Sequence, residues 1–338
     1  METARVERPR RRKVKRIAGR TLFMLVAFAS LYLLWPSLSE VFTSWRSLHE
    51  LQPAWAGAAV GFEAASFVAI WHLQRIALQT KSWYAVGTSQ LAGNALGRVI
   101  PGGMAASGTL QYQMLIRAGL PSGRIASALA SVSVLTFGTV LALPLLSLPA
   151  IIGGTPVAKG LAQAAYLGAG LFVLVLIGGI LVFVWDRPLR VVGRAATWAL
   201  NRTLRRHKHV EGLAERLLQE RDSLRVAFGA RWKAAVVAAG GRWILDYLAL
   251  VACLWAVGAV PNPSLVLLAF VAAAFLGMIP LTPGGLGFVE AGLTGLLALA
   301  GVSAGDAVVA TLAYRLVSFW LPIPAGGFAY LMFRHRFP

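Results

Sequence analysis

Six ionisable side chains lie within long apolar stretches of this sequence, and they are the groups best placed to do chemistry there. They are Glu63, Arg98, Arg242, Asp246, Glu290 and Arg315. A charge placed in hydrocarbon is costly, so such a residue normally faces a cavity or a partner of opposite charge. Embedded cations and carboxylates of this kind suit the binding and transfer of a charged ligand.

Two proline–glycine–glycine breaks interrupt the apolar stretches close to two of these residues, Arg98 and Glu290. The glycines of the breaks are Gly102, Gly103, Gly284 and Gly285. Proline removes a backbone donor and glycine weakens a helix, so each break ends a helical segment. Breaks at matching places in two halves of a membrane chain indicate a transporter-like site built from broken helices. The helix that begins after each break also presents free N–H groups, which form a natural anion site.

Glu290 follows the second break within the first turns of its helix, where the positive end of the helix dipole favours a carboxylate. Arg315 lies in the next apolar segment and is its expected partner. Two interpretations of this pair stay open. In the first, Arg315 binds a lipid phosphate and Glu290 orients it or contacts a cationic headgroup. In the second, the two residues form a structural ion pair.

The remaining embedded residues also have alternative roles. Arg98 precedes the first break by three residues, and it either captures a phosphate or makes a contact at the interface or the helix end. Glu63 lies in the middle of an apolar segment, either as a proton-coupling carboxylate or as a neutral, hydrogen-bonded acid. Arg242 and Asp246 are one helical turn apart, so we expect a structural pair.

The composition is that of a multi-span membrane protein, because 57% of the residues are hydrophobic and 13% are charged. The single cysteine, Cys253, excludes a disulfide framework and a cysteine-based metal site. The sequence contains no recognisable catalytic triad, metal-ligand cluster or nucleotide-binding motif. We therefore expect no cofactor, no metal and no catalytic residue, and a chain that is not an enzyme.

The net charge of +19 is concentrated in two segments: residues 1–20 carry nine Lys and Arg, and residues 186–233 carry twelve. Basic clusters beside apolar spans are typical of cytoplasmic loops. With the N-terminus inside, the external loops contain only Arg46 and Lys159 among the basic residues. We expect a multi-pass protein of the cell (inner) membrane with both termini cytoplasmic. No nucleic-acid motif accompanies the charge, so a nucleic-acid partner is not expected.

The apolar runs predict an all-α, polytopic fold with about six full spans and two broken hairpins. The spans are expected near 20–38, 54–76, 123–148, 163–185, 234–258 and 305–332, and the hairpins at 83–117 and 264–300. The arms after the breaks are short for full spans, which favours re-entrant hairpins over full crossings. Span, hairpin and span occur twice with opposite orientation, which predicts an inverted repeat.

This organisation divides the chain into five segments. They are a basic tail 1–19, a first membrane half 20–185, a basic linker 186–233, a second membrane half 234–332 and a cytoplasmic tail 333–338. The linker is either an amphipathic helix at the cytoplasmic interface or a solvated helix. The N-terminal segment also has features of a signal peptide, but apolar character resumes after it, so we expect an uncleaved anchor.

The C-terminal third resembles a known family. Ile279–Leu293 is similar to the signature of the lysylphosphatidylglycerol synthase transmembrane family, also called flippase-like membrane proteins, and Ala313–Val317 and Phe319–Pro322 also match. The resemblance implies a lipid-translocating module, which occurs in relatives alone or fused to a cytosolic aminoacyltransferase domain. The longest non-membrane stretch is 186–233, so we expect no synthetase domain here. Residues 104–113 depart from the family, because they lack the Gly-Glu and the following Arg of many members.

Together these features predict a membrane protein that binds or translocates an anionic or aminoacylated phospholipid, or a polyprenyl-phosphate-linked lipid. The main alternative is a non-catalytic scaffold or accessory subunit for a separate lipid-modifying enzyme or glycosyltransferase, and an intramembrane enzyme is a third class. Membrane lipid is the expected partner, and the sequence leaves open a partner enzyme and a homo-oligomer. The candidate binding residues are Arg98, Gly102, Gly103, Gly284, Gly285, Glu290 and Arg315, with Glu63, Arg242 and Asp246 as structural or coupling candidates.

Overall fold

A computed structural model describes residues 52–100, 103–147, 228–278 and 282–338, together with isolated positions between 170 and 222. The predicted tail 1–19, the span 20–38 and Gly102 lie outside these residues, as do most of span 163–185 and most of linker 186–233.

Nine α-helices make up most of the described ranges, and those ranges contain no strand. In chain order they are α1 (Pro53–Leu78), α2 (Trp83–Val99), α3 (Gly103–Arg117), α4 (Ser122–Ala142), α5 (Trp232–Ala256), α6 (Pro263–Met278), α7 (Phe288–Leu299), α8 (Ala304–Arg315) and α9 (Pro322–Arg336). A 3-10 turn, Leu143–Ser147, extends α4, and a π-helical turn, Leu316–Trp320, joins α8 to α9. The predicted all-α fold is confirmed for this part of the chain.

Four helical units are long and apolar enough to cross a membrane: Pro53–Leu78, Ser122–Ser147, Gly229–Ala256 and Ala304–Arg336. They correspond to the spans predicted at 54–76, 123–148, 234–258 and 305–332. The helices α2, α3, α6 and α7 are shorter, with 17, 15, 16 and 12 residues. These four shorter helices occupy the two predicted hairpins.

Buried apolar side chains hold the helices together in two main clusters. The larger cluster joins α5, α6 and α7 and includes Leu250, Phe270 and Leu293. The second joins α1, α3 and α4 and contains Leu73 among its buried residues. The outward faces carry exposed apolar side chains such as Phe328, which suits a surface that meets lipid.

The two hairpins close through different backbone arrangements. In the first, α2 and α3 cross so closely that a side chain at Gly103 would collide with the backbone carbonyl of Gly97. In the second, Gly284 and Gly285 adopt left-handed φ angles of 59° and 73° between α6 and α7. Glycine reaches such angles without the clash that a Cβ atom causes. The two breaks therefore need glycine for different reasons, close helix contact in one and backbone conformation in the other.

Helix packing relates the first unit, α1–α4, to the second, α5–α9. The first spans of the two units, α1 and α5, pack extensively against each other. Helix α2 packs against α9, and α6 packs against the 3-10 turn after α4, so the first hairpin arm of each unit contacts the last span of the other. The second break also contacts α2. This packing places the second break next to the C-terminal end of α2.

Candidate functional site

A cavity of about 380 Å³, with both apolar and polar side chains in its lining, lies where the two units meet. It is lined by residues of α1, α2, α5, α6, α7 and α8, by the second break and by the π-helical turn. Its polar lining consists of Glu63, Asn94, Arg98, Arg242, Trp243, Asp246, Tyr314, Arg315 and Ser318. The cavity thus gathers five of the six embedded ionisable residues, and the sixth, Glu290, is bonded to one of them.

The cavity lies deep within the helices that are long enough to cross a membrane. Glu63 is ten residues from the start of α1, and Asp246 is ten residues from the end of α5. At ~1.5 Å per residue, both lie about 15 Å along their helices, which is half the ~30 Å thickness of a hydrocarbon core. Both residues therefore lie well inside helices that are long enough to cross a membrane.

Arg315 and Glu290 form a buried ion pair between α8 and α7. The Arg315 Nε atom donates to Glu290 Oε1 at 2.6 Å, and Arg315 Nη2 donates to the Gly284 carbonyl at 3.3 Å. The second carboxylate oxygen, Glu290 Oε2, is buried and has no partner among the described residues. Both side chains are about one-tenth exposed. The pair ties the second break to α8, as the structural interpretation expects, and Arg315 also lines the cavity.

Arg98 reaches the other unit of the molecule. Its Nη1 atom donates a hydrogen bond to the backbone carbonyl of Ser318 in the π-helical turn. In an α-helical pattern this carbonyl would accept from the residue four positions later, but that residue is Pro322, which has no N–H. Arg98 therefore supplies a donor that proline removes, and it joins the tip of the first hairpin to α8 and α9.

Arg98 and Arg315 face the same aromatic ring. The guanidinium carbon of Arg98 lies 5.1 Å from the centroid of the Phe319 ring, and that of Arg315 lies 4.2 Å from it. Arg315 has a carboxylate partner, whereas Arg98 has no carboxylate within 4.0 Å in the described ranges. Arg98 is thus a cation whose charge no described carboxylate neutralises directly.

Of the four glycines in the breaks, Gly284 is the one described as lining the cavity. Its carbonyl accepts from Arg315, and a Cβ atom added to it would collide with the Phe319 ring and lie 3.2 Å from the Arg98 carbonyl oxygen. Gly285 packs against Val289 instead, Gly103 serves the α2–α3 crossing, and Gly102 lies outside the described residues.

Asp246 accepts hydrogen bonds at both carboxylate oxygens. Its Oδ1 accepts from the Tyr314 hydroxyl at 2.7 Å, and its Oδ2 accepts from Arg242 Nη1 at 3.3 Å. The predicted pairing with Arg242 is present, and Arg242 also stacks over Trp243 at 4.2 Å from the ring centroid. Because Tyr314 belongs to α8, Asp246 also links α5 to the helix that carries Arg315.

Glu63 is the carboxyl group of the cavity that has no ion-pair partner among the described residues. It is only 5% exposed, and its Oε2 atom has no hydrogen-bond partner among the described residues. Asp246 lies beside it, with Arg242 and Arg98 nearby. Three guanidinium groups therefore face three carboxyl groups at this site, and two of each are paired with one another. Arg98 and Glu63 remain as the cation and the acid that have no ion-pair partner among the described residues.

The sequence reasoning did not assign roles to several residues of the site. Tyr314 and Phe319 lie in segments that resemble the family, and Ser318 lies between those segments, but the roles of all three depend on helices far away in the chain. The signal that could have identified Ser318 is Pro322, since a proline four residues later leaves a helical carbonyl without its donor. Within the described ranges, no group of three or more His, Cys, Asp or Glu side chains could hold a metal ion.

Comparisons with known proteins give one family and two curated relatives. The family model described as the lysylphosphatidylglycerol synthase TM region matches residues 22–326. Two proteins of Methanothermobacter thermautotrophicus strain Delta H, each named UPF0104 membrane protein, match shorter stretches. One is 37% identical over 79 residues, which cover 23% of this chain and 23% of the relative. The other is 33% identical over 86 residues, which cover 25% of this chain and 24% of the relative. The matches thus span about a quarter of the length of these relatives.

Proposed function

This chain belongs to the lysylphosphatidylglycerol synthase transmembrane-region family, and we propose that it binds the phosphate of an anionic membrane lipid in the cavity and transfers that headgroup across the membrane. The observation that carries the proposal is Arg98, a deep cation without a carboxylate partner among the described residues, beside a second arginine on the same aromatic ring. Cations at such depth are costly unless they have a partner, and an anionic headgroup would supply one.

The hydrogen-bonding capacity of the two arginines supports this assignment. A guanidinium group carries five N–H donors, and the contacts described above engage one nitrogen of Arg98 and two of Arg315. A phosphodiester that accepts from both remaining edges would form charge-assisted bonds, which are about twice as strong as neutral ones. Glu290 then acts through Arg315, because it fixes the orientation of that guanidinium group.

The size of the cavity suits a headgroup and not a complete lipid. Pockets for small ligands commonly measure about 300–1,000 Å³, and this cavity, at about 380 Å³, is near the lower end of that range. The acyl chains would therefore stay in the bilayer while the headgroup occupies the cavity. This arrangement needs no nucleotide, and it avoids moving a bare phosphate through hydrocarbon.

The hairpins are proposed to be re-entrant and to meet at mid-depth. Helices of 12 to 17 residues measure about 18–26 Å at 1.5 Å per residue, which is short of a ~30 Å hydrocarbon core. Irregular backbone at that depth is tolerated where it is buried in protein or lines a cavity. The Gly284 carbonyl, which accepts from Arg315, meets that condition. The inverted orientation of the two units, and a cell-membrane topology with both termini cytoplasmic, are parts of the same proposal.

Aminoacylated lipids are a second candidate class of substrate, and Glu63 is the observation that favours them. An aminoacyl headgroup adds an ammonium group to the phosphate, and the Glu63 carboxyl in the same cavity, whose Oε2 atom has no partner among the described residues, would accept it. Binding of both groups would place the phosphate near Arg98 and the ammonium near Glu63. If Glu63 binds the ammonium group, Glu63→Gln should lose transfer of aminoacylated lipids and keep transfer of phosphatidylglycerol.

Reconstitution of the full chain into liposomes tests the proposed function. Vesicles that contain fluorescent phosphatidylglycerol are treated with dithionite, which bleaches only the outer leaflet unless lipid is transferred. We expect bleaching beyond the outer-leaflet fraction with the wild type, strong loss with Arg98→Ala, and partial activity with Arg98→Lys. Arg117→Ala is the matched control, since Arg117 is exposed at the end of α3 and does not line the cavity.

Two results would contradict the proposal. One is wild-type bleaching equal to that of protein-free vesicles, which would instead favour an accessory role beside a separate lipid-modifying enzyme. The other is equal loss of transfer in Arg98→Ala and Arg117→Ala, since the cavity would then have no special part in transfer.

A further inference from the structure

Glu63 has no role in the phosphate site as described above, yet it is one of the most deeply buried ionisable groups of the cavity. It is 5% exposed, it lines the cavity from α1, and its Oε2 atom has no partner among the described residues. A buried carboxylate without a donor or a cation is strongly disfavoured, whereas a protonated acid in the same place is neutral and has a donor of its own. The geometry therefore suits a group that gains and loses a proton.

The groups that face Glu63 come from the helices packed around α1. From α5, α2 and α8 they are Asp246, Arg242, Cys253, Arg98 and Tyr314. Helix α4 carries one ionisable residue, Arg124, which lies near the N-terminal end of the helix. The π-helical turn carries none. The nearest acid is thus Asp246, and no described cation lies within ion-pair distance of Glu63.

The hydrogen bonds of Asp246 decide which of the two acids carries the proton. Both Asp246 oxygens accept from donors in place, the Tyr314 hydroxyl and Arg242 Nη1, so neither oxygen needs a proton of its own to complete a hydrogen bond. The Oε2 atom of Glu63 has no such donor among the described residues, and Asp246 itself is a side-chain hydrogen-bond partner of Glu63. A proton shared by this pair therefore resides on Glu63, from which it can be donated towards Asp246.

We infer that Glu63 binds a proton together with the lipid headgroup, so that the cavity takes up one anionic headgroup and one proton as a unit. This inference rests on the proposed function, because it concerns the same cavity and the same ligand. With all six groups ionised, three guanidinium groups balance three carboxylates. A phosphodiester adds one negative charge in a place where an uncompensated charge is costly, and a proton on Glu63 restores the balance.

The coupling acts in both directions. If a proton on Glu63 strengthens headgroup binding, the bound headgroup strengthens proton binding by the same factor. A difference in proton concentration across the membrane would then drive net lipid transfer towards the alkaline side. The chain would need no nucleotide for this, since the proton gradient supplies the free energy.

Lipid binding measured as a function of pH tests the inference. The detergent-purified full chain is titrated with dioctanoyl phosphatidylglycerol, whose phosphodiester keeps its charge from pH 6 to about 10. For the wild type we expect affinity to fall as the pH rises, by up to about tenfold per unit, which is the limit for one linked proton. Glu63→Gln carries a neutral side chain at every pH, so its affinity should not change over this range. Glu215→Gln, at an exposed position, should behave like the wild type.

A second measurement needs no variant and so does not depend on how Glu63→Gln folds. In weak buffer, at a pH where the wild-type affinity is falling, lipid binding should be accompanied by uptake of up to about one proton per headgroup. Wild-type affinity that is constant over the whole pH range, with no proton uptake, would overturn the inference while leaving the proposed function standing. Absence of lipid binding by the wild type at every pH would overturn both the inference and the proposed function. If the proposed function is right, the wild type binds the lipid and Arg98→Ala does not.

Discussion

Replacement of Gly284 by alanine should both destabilise the protein and disconnect the two arginines of the cavity. Gly284 has a φ angle of 59°, and a left-handed conformation costs a residue with a Cβ atom about 1–2 kcal/mol. The new methyl group would also lie 2.6 Å from Phe319 Cζ, and closer still to Cε2. Phe319 is only 3% exposed, so its ring has little room to move. Overpacking of this kind typically costs about 1–3 kcal/mol.

The two terms together predict a loss of about 2–5 kcal/mol in the free energy of unfolding. Displacement of the Phe319 ring would also remove the aromatic face that Arg98 and Arg315 share. We therefore expect lipid transfer to fall to the level of Arg98→Ala, even in the fraction that remains folded. Unfolding in mixed micelles, followed by far-UV circular dichroism, measures the first effect, and the dithionite assay measures the second.

Gly295→Ala is the matched control for this experiment. Gly295 lies in α7, and a Cβ atom there would have no other atom within 4 Å. Alanine is a better helix former than glycine by up to about 1 kcal/mol, so this variant should be as stable as the wild type or more so. If Gly284→Ala matches Gly295→Ala in both stability and lipid transfer, the close packing of Gly284 against Phe319 contributes to neither, which refutes the prediction.

Three further predictions follow from the contacts of the cavity and the hairpins. Glu290→Gln should cost about 3 kcal/mol of stability, because it leaves the buried Arg315 charge without its partner; an unfolding free energy within about 0.5 kcal/mol of the wild type would contradict a buried pair. Tyr314→Phe removes the 2.7 Å hydrogen bond to Asp246 and should cost about 1–2 kcal/mol, and an unchanged unfolding curve would show that the bond is not formed. Gly326→Ala should force α9 away from α2, where a Cβ atom would collide with the Leu91 carbonyl; cysteine cross-links between the two helices should form more slowly in this variant, and equal rates would contradict the close approach.

Within the described ranges, the sequence by itself determined which segments are helical and where the two hairpins are broken, because both depend on local chemistry. The hairpin predicted at 83–117 corresponds to helices Trp83–Val99 and Gly103–Arg117, on either side of the Pro-Gly-Gly break. Proline and glycine act on the backbone at their own positions, so a break can be recognised without knowledge of the fold. The ion pair of Arg242 and Asp246 was predictable for the same reason, since residues four apart share one face of a helix. Family membership also follows from the sequence, through the signature that contains the second break.

Only the tertiary structure decided which of the embedded charges meet. Arg98 bonds to a carbonyl 220 residues later in the chain, and Tyr314 bonds to Asp246, 68 residues earlier. These contacts depend on how α2 packs against α9 and how α5 packs against α8, and no local pattern encodes that packing. Glu63 shows the difference most clearly. Its position in the middle of an apolar helix was evident from the sequence, but its lack of an ion-pair partner among the described residues and its place beside Asp246 arise from the way α1 and α5 pack together.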